Sequence, residues 1–289
     1  MIEIDLHLHT TFSDGRLTPT KLVRMCNERG LKIMAVTDHD STEGLDEALE
    51  AASEFTDMTI VPGIELSTDI PGAEIHLLGL FINRNDKVLQ RQLSTMRKGR
   101  QGRARAMVKN LEKFGVFVSW EHVEKLAGEA SIGRPHIAQA MVEAGYVKFP
   151  KEAFDRYLGR SGPAYAERVK LSPEEAVKLL LANGAVPVIA HPTYSAAKSS
   201  RGEVEGLRDI LTSLKAAGLV GMEVYYGDYT AQQIKWLGDL ADEFNLIPCG
   251  GSDYHASGNP GEPEPGSVGP PRSTYERLQE ARTHLTSKG

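Results

Sequence analysis

The chain has 289 residues, 33 Lys or Arg against 39 Asp or Glu, and a formal net charge of −6 with its nine histidines neutral. A composition of 40% apolar and 25% charged residues is that of a globular protein, which excludes disorder, collagen-like repeats and coiled coil as the main state. The start MIEIDLHLHT lacks the cationic and apolar regions of an export signal, and no run of about 18 apolar residues occurs, so a cytoplasmic protein that spans no membrane is expected. Cys26 and Cys249 stand far apart without CxxC spacing and are expected as reduced, buried thiols.

Short apolar runs at 2–9, 32–39, 59–66, 75–82, 186–192, 222–226 and 246–255 predict largely buried strands. Helical patterns separate most of them: one opens at Pro19 and ends at Gly30, and another opens with a Ser172/Glu175 capping box. Repeated strand and helix units imply an α/β fold with a mainly parallel sheet, and the length suits one barrel of about 250 residues with an insertion. Only about six residues, DIPGAE, separate the third run, which ends near Ser67, from the fourth, which begins at Ile75. A parallel crossover needs a dozen or more residues, so this pair is predicted to be an antiparallel hairpin that brings Glu65 beside His76.

Between residues 84 and 170 the pattern is helical, carried by Leu89, Leu93, Met96, Met107, Leu111 and Phe114. The chain therefore divides into a discontinuous barrel, 1–83 and 171–289, and an inserted helical subdomain, 84–170, that caps the substrate. From Arg84 to Lys113 the insertion carries ten Lys or Arg and two acidic residues, which suits either a solvated face or contact with phosphates. Residues 256–271 hold four glycines and five prolines, a loop expected at the rim of the site before a last helix at 273–286.

Residues i and i+2 of a strand share a face, so Asp5, His7 and His9 project together, as do Asp253 and His255. A lone histidine in such a strand is usually a satisfied core group. Here His7, His9, Asp14, His39, Glu65, His76, His191, Asp253 and His255 all fall at or just past strand ends, where a barrel gathers its catalytic groups. Six imidazoles and three carboxylates in one mouth call for cations, and nine ligands exceed what one ion takes, so two or three divalent ions are expected. Donors without thiolate suit Mn2+ first, with Fe2+ or Zn2+ as alternatives.

These residues, as D-L-H-L-H-T at 5–10, S-D-G at 13–15, T-D-H-D at 37–40, G-I-E at 63–65, I-A-H-P at 189–192 and G-S-D-Y-H at 251–255, resemble the PHP (polymerase and histidinol phosphatase) superfamily of metal-dependent phosphoesterases. G-R-P-H at 133–136 is similar to the bacterial TrpH-like branch, whose members are nucleoside 3′,5′-bisphosphate phosphatases or exonucleases acting on RNA 5′ ends. The resemblance implies a distorted (β/α)7 barrel and three ions. The first would take His7, His9, Glu65 and Asp253. The second would share Glu65 and take His76 and His191, and the third would be held by Asp14, His39 and His255. Arg134 and His136, at a helix N-terminus, become expected phosphate contacts.

The implied activity is hydrolysis of a phosphomonoester, foremost the 3′-phosphate of a nucleoside 3′,5′-bisphosphate. Asp253 would orient the nucleophile, a metal-site histidine such as His191, or water, would protonate the leaving oxygen, and Arg134 would neutralise phosphoryl oxygens. The alternatives are a 5′–3′ exonuclease on short single-stranded RNA or DNA ends, a histidinol-phosphate phosphatase, and a metal-stabilised regulatory protein without turnover. The partner in the leading readings is a small phosphorylated nucleotide or a nucleic-acid end.

Overall fold

The structure, a computed structural model, describes residues 2–70, 73–128, 130–167, 171–195 and 203–287. Seven strands form one sheet in sequence order: β1 (Ile4–Asp5), β2 (Ile33–Val36), β3 (Thr59–Ile70), β4 (Ala73–Leu80), β5 (Val186–Ile189), β6 (Gly221–Tyr226) and β7 (Ile247–Gly251). The sheet curls until β1 meets β7: Leu6 N–H donates to Gly250 O at 3.2 Å, and Leu8 bridges Tyr254 in parallel. The result is a nearly closed seven-stranded α/β barrel.

β4 runs backwards as expected, with β3·β4 and β4·β5 antiparallel and the other pairs parallel, and the two strands extend into DIPGAE as far as Ile70 and Ala73. This reversal distorts the (β/α)7 pattern and puts the start of β4, rather than its end, at the mouth. Several strands are shorter than their apolar runs. The chain leaves the ladder after Asp5, Val36, Ile189 and Gly251, and the residues that follow turn into the mouth.

Local sequence explains the elements between strands. In α1 (Pro19–Glu28) Thr18 caps the N-terminus, Pro19 opens the first turn, and Gly30, at φ 86°, ends the element. In α7 (Pro173–Ala182) the predicted capping box forms: Ser172 Oγ accepts from Glu175 N–H at 3.2 Å, and Ser172 N–H donates to Glu175 Oε2 at 2.8 Å. Alternate residues of β2 face opposite ways. Met34 and Val36 pack with α1, α2 (Leu45–Ala52), α7, α8 (Glu203–Ala217) and α9 (Ala231–Glu243), whereas Ile33 and Ala35 join Val61, Leu78, Val188, Cys249 and Leu278 of α10 (Arg272–Thr286).

Among the described residues no strand lies between β4 and β5; the segment holds α3 (Lys87–Glu112), α4 (Trp120–Ala127), α5 (Arg134–Glu143), α6 (Pro150–Ala153) and a π-helical turn, Phe154–Leu158. Leu89, Leu93 and Met96, in the first half of α3, pack into the barrel core, whereas Met107 and Leu111 join a separate cluster with Val123, Ile137 and Met141. One long helix thus belongs to both bodies and ties them together. Phe114 departs from the expected pattern: it falls past the end of α3 and is 49% exposed. Cys26 and Cys249 are buried free thiols, as expected. Among the described residues no helix is long and apolar enough to cross a membrane.

Candidate metal centre

Glu65 shares the face of Val61 on β3, and His76 the face of Leu78 on β4, so both continue the inner surface of the barrel into its mouth. Glu65 is 1% exposed and surrounded by imidazoles. Its Oε2 lies 3.3 Å from His7 Nε2, 3.1 Å from His9 Nε2 and 3.1 Å from His39 Nδ1, while Oε1 lies 2.7 Å from His76 Nδ1 and 3.2 Å from His191 Nε2. Asp253 Oδ1 stands 3.1 Å from both His7 Nε2 and His9 Nε2. Asp14 Oδ1 is 3.3 Å from His255 Nε2, and its Oδ2 is 3.7 Å from His39 Nε2. All nine residues singled out in the sequence therefore converge.

Their ligand atoms form three overlapping groups: His7, His9, Glu65 and Asp253; His39, Glu65 and His76; and His9, Asp14, His39 and His255. The first is the set implied by resemblance. In the second His39 stands where His191 was expected, although His191 still approaches Glu65. In the third, His9 joins the expected residues. Two ligands each about 2.1 Å from an ion stand about 3 Å apart, the spacing found around Glu65. His7 Nε2, His9 Nε2, His39 Nδ1, Glu65 Oε2, Asp14 Oδ1 and Asp253 Oδ1 are buried without a hydrogen-bond partner. Close approach without hydrogen-bond alignment leaves these lone pairs aimed at shared centres, and the residues fit divalent cations there.

Electrostatics agree. Burial opposes charge on Glu65, yet His39, His76 and His7 together hold its carboxyl well below the usual range. Burial likewise opposes protonation of His76 and His255, but Glu65 lifts the first to about 9, and Asp14 lifts the second to about 10. His39 goes the other way: burial depresses it to about 3 against the pull of Glu65 and Asp14. Without cations the site keeps protons on some of its imidazoles to balance its carboxylates.

Residues behind the ligands fix their aim. Glu223, fully buried on β6, holds His7 Nδ1 at 3.0 Å through Oε1 and accepts from His191 N–H at 2.7 Å through Oε2. That leaves Nε2 of His7 for the centre. Tyr226 donates its hydroxyl hydrogen to Asp253 Oδ2 at 2.8 Å. Asp38 accepts from Thr10 N–H at 2.8 Å and from Ser13 Oγ–H at 2.6 Å, which shapes the loop presenting Asp14. Asp5 departs from the sequence expectation. Its carboxylate accepts from Ser252 N–H at 3.0 Å and from His7 N–H at 3.2 Å, so it ties β1 to the end of β7 instead of facing the cations. Two ligands occupy left-handed backbone, His191 at φ 27° and Asp253 at φ 56°, a strain that the surrounding hydrogen bonds sustain. Glu223 was not anticipated; an acidic residue inside the apolar run MEVYY was its signal.

Beside the centre, Arg100 and Arg103 of α3 and Arg134 of α5 line one small cleft together with His39, His76 and Asp14. Arg100 Nε donates to Asp40 Oδ2 at 2.5 Å, and Arg134 Nη2 donates to Glu74 Oε2 at 2.5 Å, while Arg103 Nη1 stands 3.9 Å from Glu74 Oε1. Sequence reading found the basic helix and Arg134 but not the i, i+3 pair Arg100 and Arg103, which is buried on one face. His136 is placed differently from its expected phosphate contact. Its ring is mostly buried, Nδ1 accepts from Gly133 N–H at 3.0 Å, and it bonds the backbone of Ser13, an arrangement that positions the start of α5. The 256–271 segment does form a rim: Ser257–Pro263 border the mouth next to Asp253 and His255.

The PHP domain model matches residues 5–159. The chain is 33% identical over 263 residues to a 3′,5′-nucleoside bisphosphate phosphatase of Chromobacterium violaceum, covering 90% of each protein. It is also 33% identical over 253 residues to a 5′-3′ exoribonuclease of Haemophilus influenzae, covering 87% of this chain and 89% of the relative. A solved structure from Bifidobacterium adolescentis, described as a metal-dependent phosphoesterase, superposes with a TM-score of 0.86 at 29% identity over 96% of both chains. The chain belongs to the PHP domain family, as a metal-dependent phosphoesterase.

Proposed function

We propose that the protein removes the 3′-phosphate from nucleoside 3′,5′-bisphosphates, using two to three divalent ions, Mn2+ foremost, with Fe2+ or Zn2+ as alternatives. The observation that carries this reading is the pairing of two sites in one mouth: overlapping cation groups around Glu65, and an arginine cleft that shares His39, His76 and Asp14 with them. A substrate with two phosphates uses both. Likeness to the Chromobacterium violaceum bisphosphate phosphatase supports the same substrate class.

Ions held by the nine ligands would supply a water of lowered pKa, about 7 in favourable sites, and positive charge against the phosphoryl oxygens. The chain's own groups do the rest. Asp253, steadied by Tyr226, orients the attacking water in line with phosphorus. Arg134 binds the second phosphate, with Arg100 and Arg103 adding positive potential in the same cleft. His191, held at its backbone by Glu223, stands at the edge of the centre in reach of the leaving oxygen. Burial of the ligands excludes bulk water and strengthens each of these interactions.

The exonuclease reading draws on the Haemophilus influenzae relative, which matches at the same identity. The insertion favours the smaller substrate, because it is tied to the barrel on several sides of the mouth: Arg16 to Gln139, Arg160 to Asp69, Arg97 to Glu43, and Lys151 N–H to Asn259. Product identification tests the assignment. Adenosine 3′,5′-bisphosphate should yield adenosine 5′-phosphate and inorganic phosphate; formation of the 3′-phosphate isomer would exchange the roles of the two sites.

A further inference from the structure

Resting on the reading that the substrate is a nucleotide, we infer that its base docks in a second chamber of the mouth, against the ring of Phe154. This chamber has a volume of about 570 Å³ and lies between α6, the end of β6 and the 257–263 loop. Pockets of a few hundred Å³ with apolar walls and a few polar groups are the usual seats of small organic ligands. One end of the chamber is formed by Asp14, Asp253 and His255, which belong to the cation groups. Phe154, Pro150, Pro260 and Pro263 give it apolar wall, alongside the acidic groups of Asp228 and Glu262.

Phe154, Pro135 and Asp14 line both this chamber and the arginine cleft, so they form the partition between the two. The guanidinium of Arg134 lies 5.6 Å from the Phe154 ring centre. A nucleotide with one phosphate at the cations and the other at Arg134 has its sugar at this partition. The base then extends into the chamber, where a half-buried aromatic ring and prolines offer flat apolar surface. Lys151 and Asn259 also line the chamber and offer polar groups for the base edges.

The backbone gives a second, independent indication. Phe154 begins the π-helical turn, and Gly159 N–H donates to Phe154 O at 2.9 Å. A π turn inserts one residue into the helical period and recurs at functional sites because it re-aims side chains. Here it sits at the residue common to both cavities.

The test compares adenosine 3′,5′-bisphosphate with 1-O-methylribose 3,5-bisphosphate, which keeps both phosphates and lacks the base. Wild-type protein should prefer the base-bearing substrate in kcat/KM by about tenfold or more, the scale of one base–aromatic stack. Phe154→Leu should cut that preference at least fivefold, and Phe154→Trp, which keeps an aromatic face, should preserve it. Calorimetric titration with adenosine 5′-phosphate should show the same ranking of affinities. A wild-type preference near one, or a preference unchanged in Phe154→Leu, overturns the chamber assignment while leaving the phosphatase reading intact. Tight, Phe154-dependent binding of adenosine 5′-phosphate without turnover of either bisphosphate would instead keep the chamber and remove the phosphatase reading.

Discussion

Glu65 Oε1 lies 2.7 Å from His76 Nδ1 across the β3·β4 hairpin, although the backbone register pairs Glu65 with Leu78 and His76 with Ser67. The contact is diagonal, between side chains on one face, and it places a carboxylate shared by two cation groups at the barrel mouth.

Because Glu65 takes part in two of the three groups, its loss should remove more than one ion. Elemental analysis of protein purified in manganese should give two to three ions per chain for the wild type, and at least one and a half fewer for Glu65→Ala. A single ion lost, or none, would mean that Glu65 does not bridge.

Glu223 is not itself a member of any cation group, yet it holds both His7 and the backbone of His191. Glu223→Ala should leave the protein folded by circular dichroism and lower manganese affinity about 10- to 100-fold, the usual effect of removing a partner behind a ligating histidine. Unchanged affinity would show that packing alone orients His7.

Metal binding should release protons. In the cation-free site His76 titrates near 9 and His255 near 10, so both are protonated at pH 7, and a ligating nitrogen must be neutral. Apparent affinity should therefore rise with pH between 6 and 8, by about tenfold per unit for each proton displaced. Calorimetry in buffers of different ionisation enthalpy counts the protons; a count of zero at pH 7 would contradict this protonation pattern.

Arg134→Ala should weaken binding of adenosine 3′,5′-bisphosphate by about 1.5–3 kcal/mol, the range for a hydrogen bond to a charged group. A small phosphomonoester with no second phosphate should lose less. Equal losses on both would move Arg134 to the reacting phosphoryl group.

Eight of the cation ligands were legible from short local patterns: H-x-H just past β1, S-D-G before α1, D-H after β2, G-I-E in β3, H-P after β5 and D-Y-H after β7, while His76 followed from the hairpin. The hairpin was legible from loop length alone. Residues that act by converging from distant segments were not. Glu223 serves His7 from 216 positions away, and Arg100 and Arg103 acquire meaning only once α3 crosses the mouth beside Glu74. His136 misled because a histidine after Gly-Arg-Pro at a helix start can face an anion or turn back to cap the helix, and here Nδ1 takes the Gly133 N–H. His39, His76 and His191 all approach Glu65, and which of them share an ion depends on side-chain directions that motif order does not encode.

The central claim is choice of substrate, and the most direct measurement is the ratio of specificity constants for adenosine 3′,5′-bisphosphate and a 5′-phosphorylated RNA oligonucleotide under identical manganese loading. The account predicts a higher kcat/KM for the bisphosphate, with adenosine 5′-phosphate and inorganic phosphate as products. Activity on the oligonucleotide at least tenfold above that on the bisphosphate would contradict it and make the protein an exonuclease.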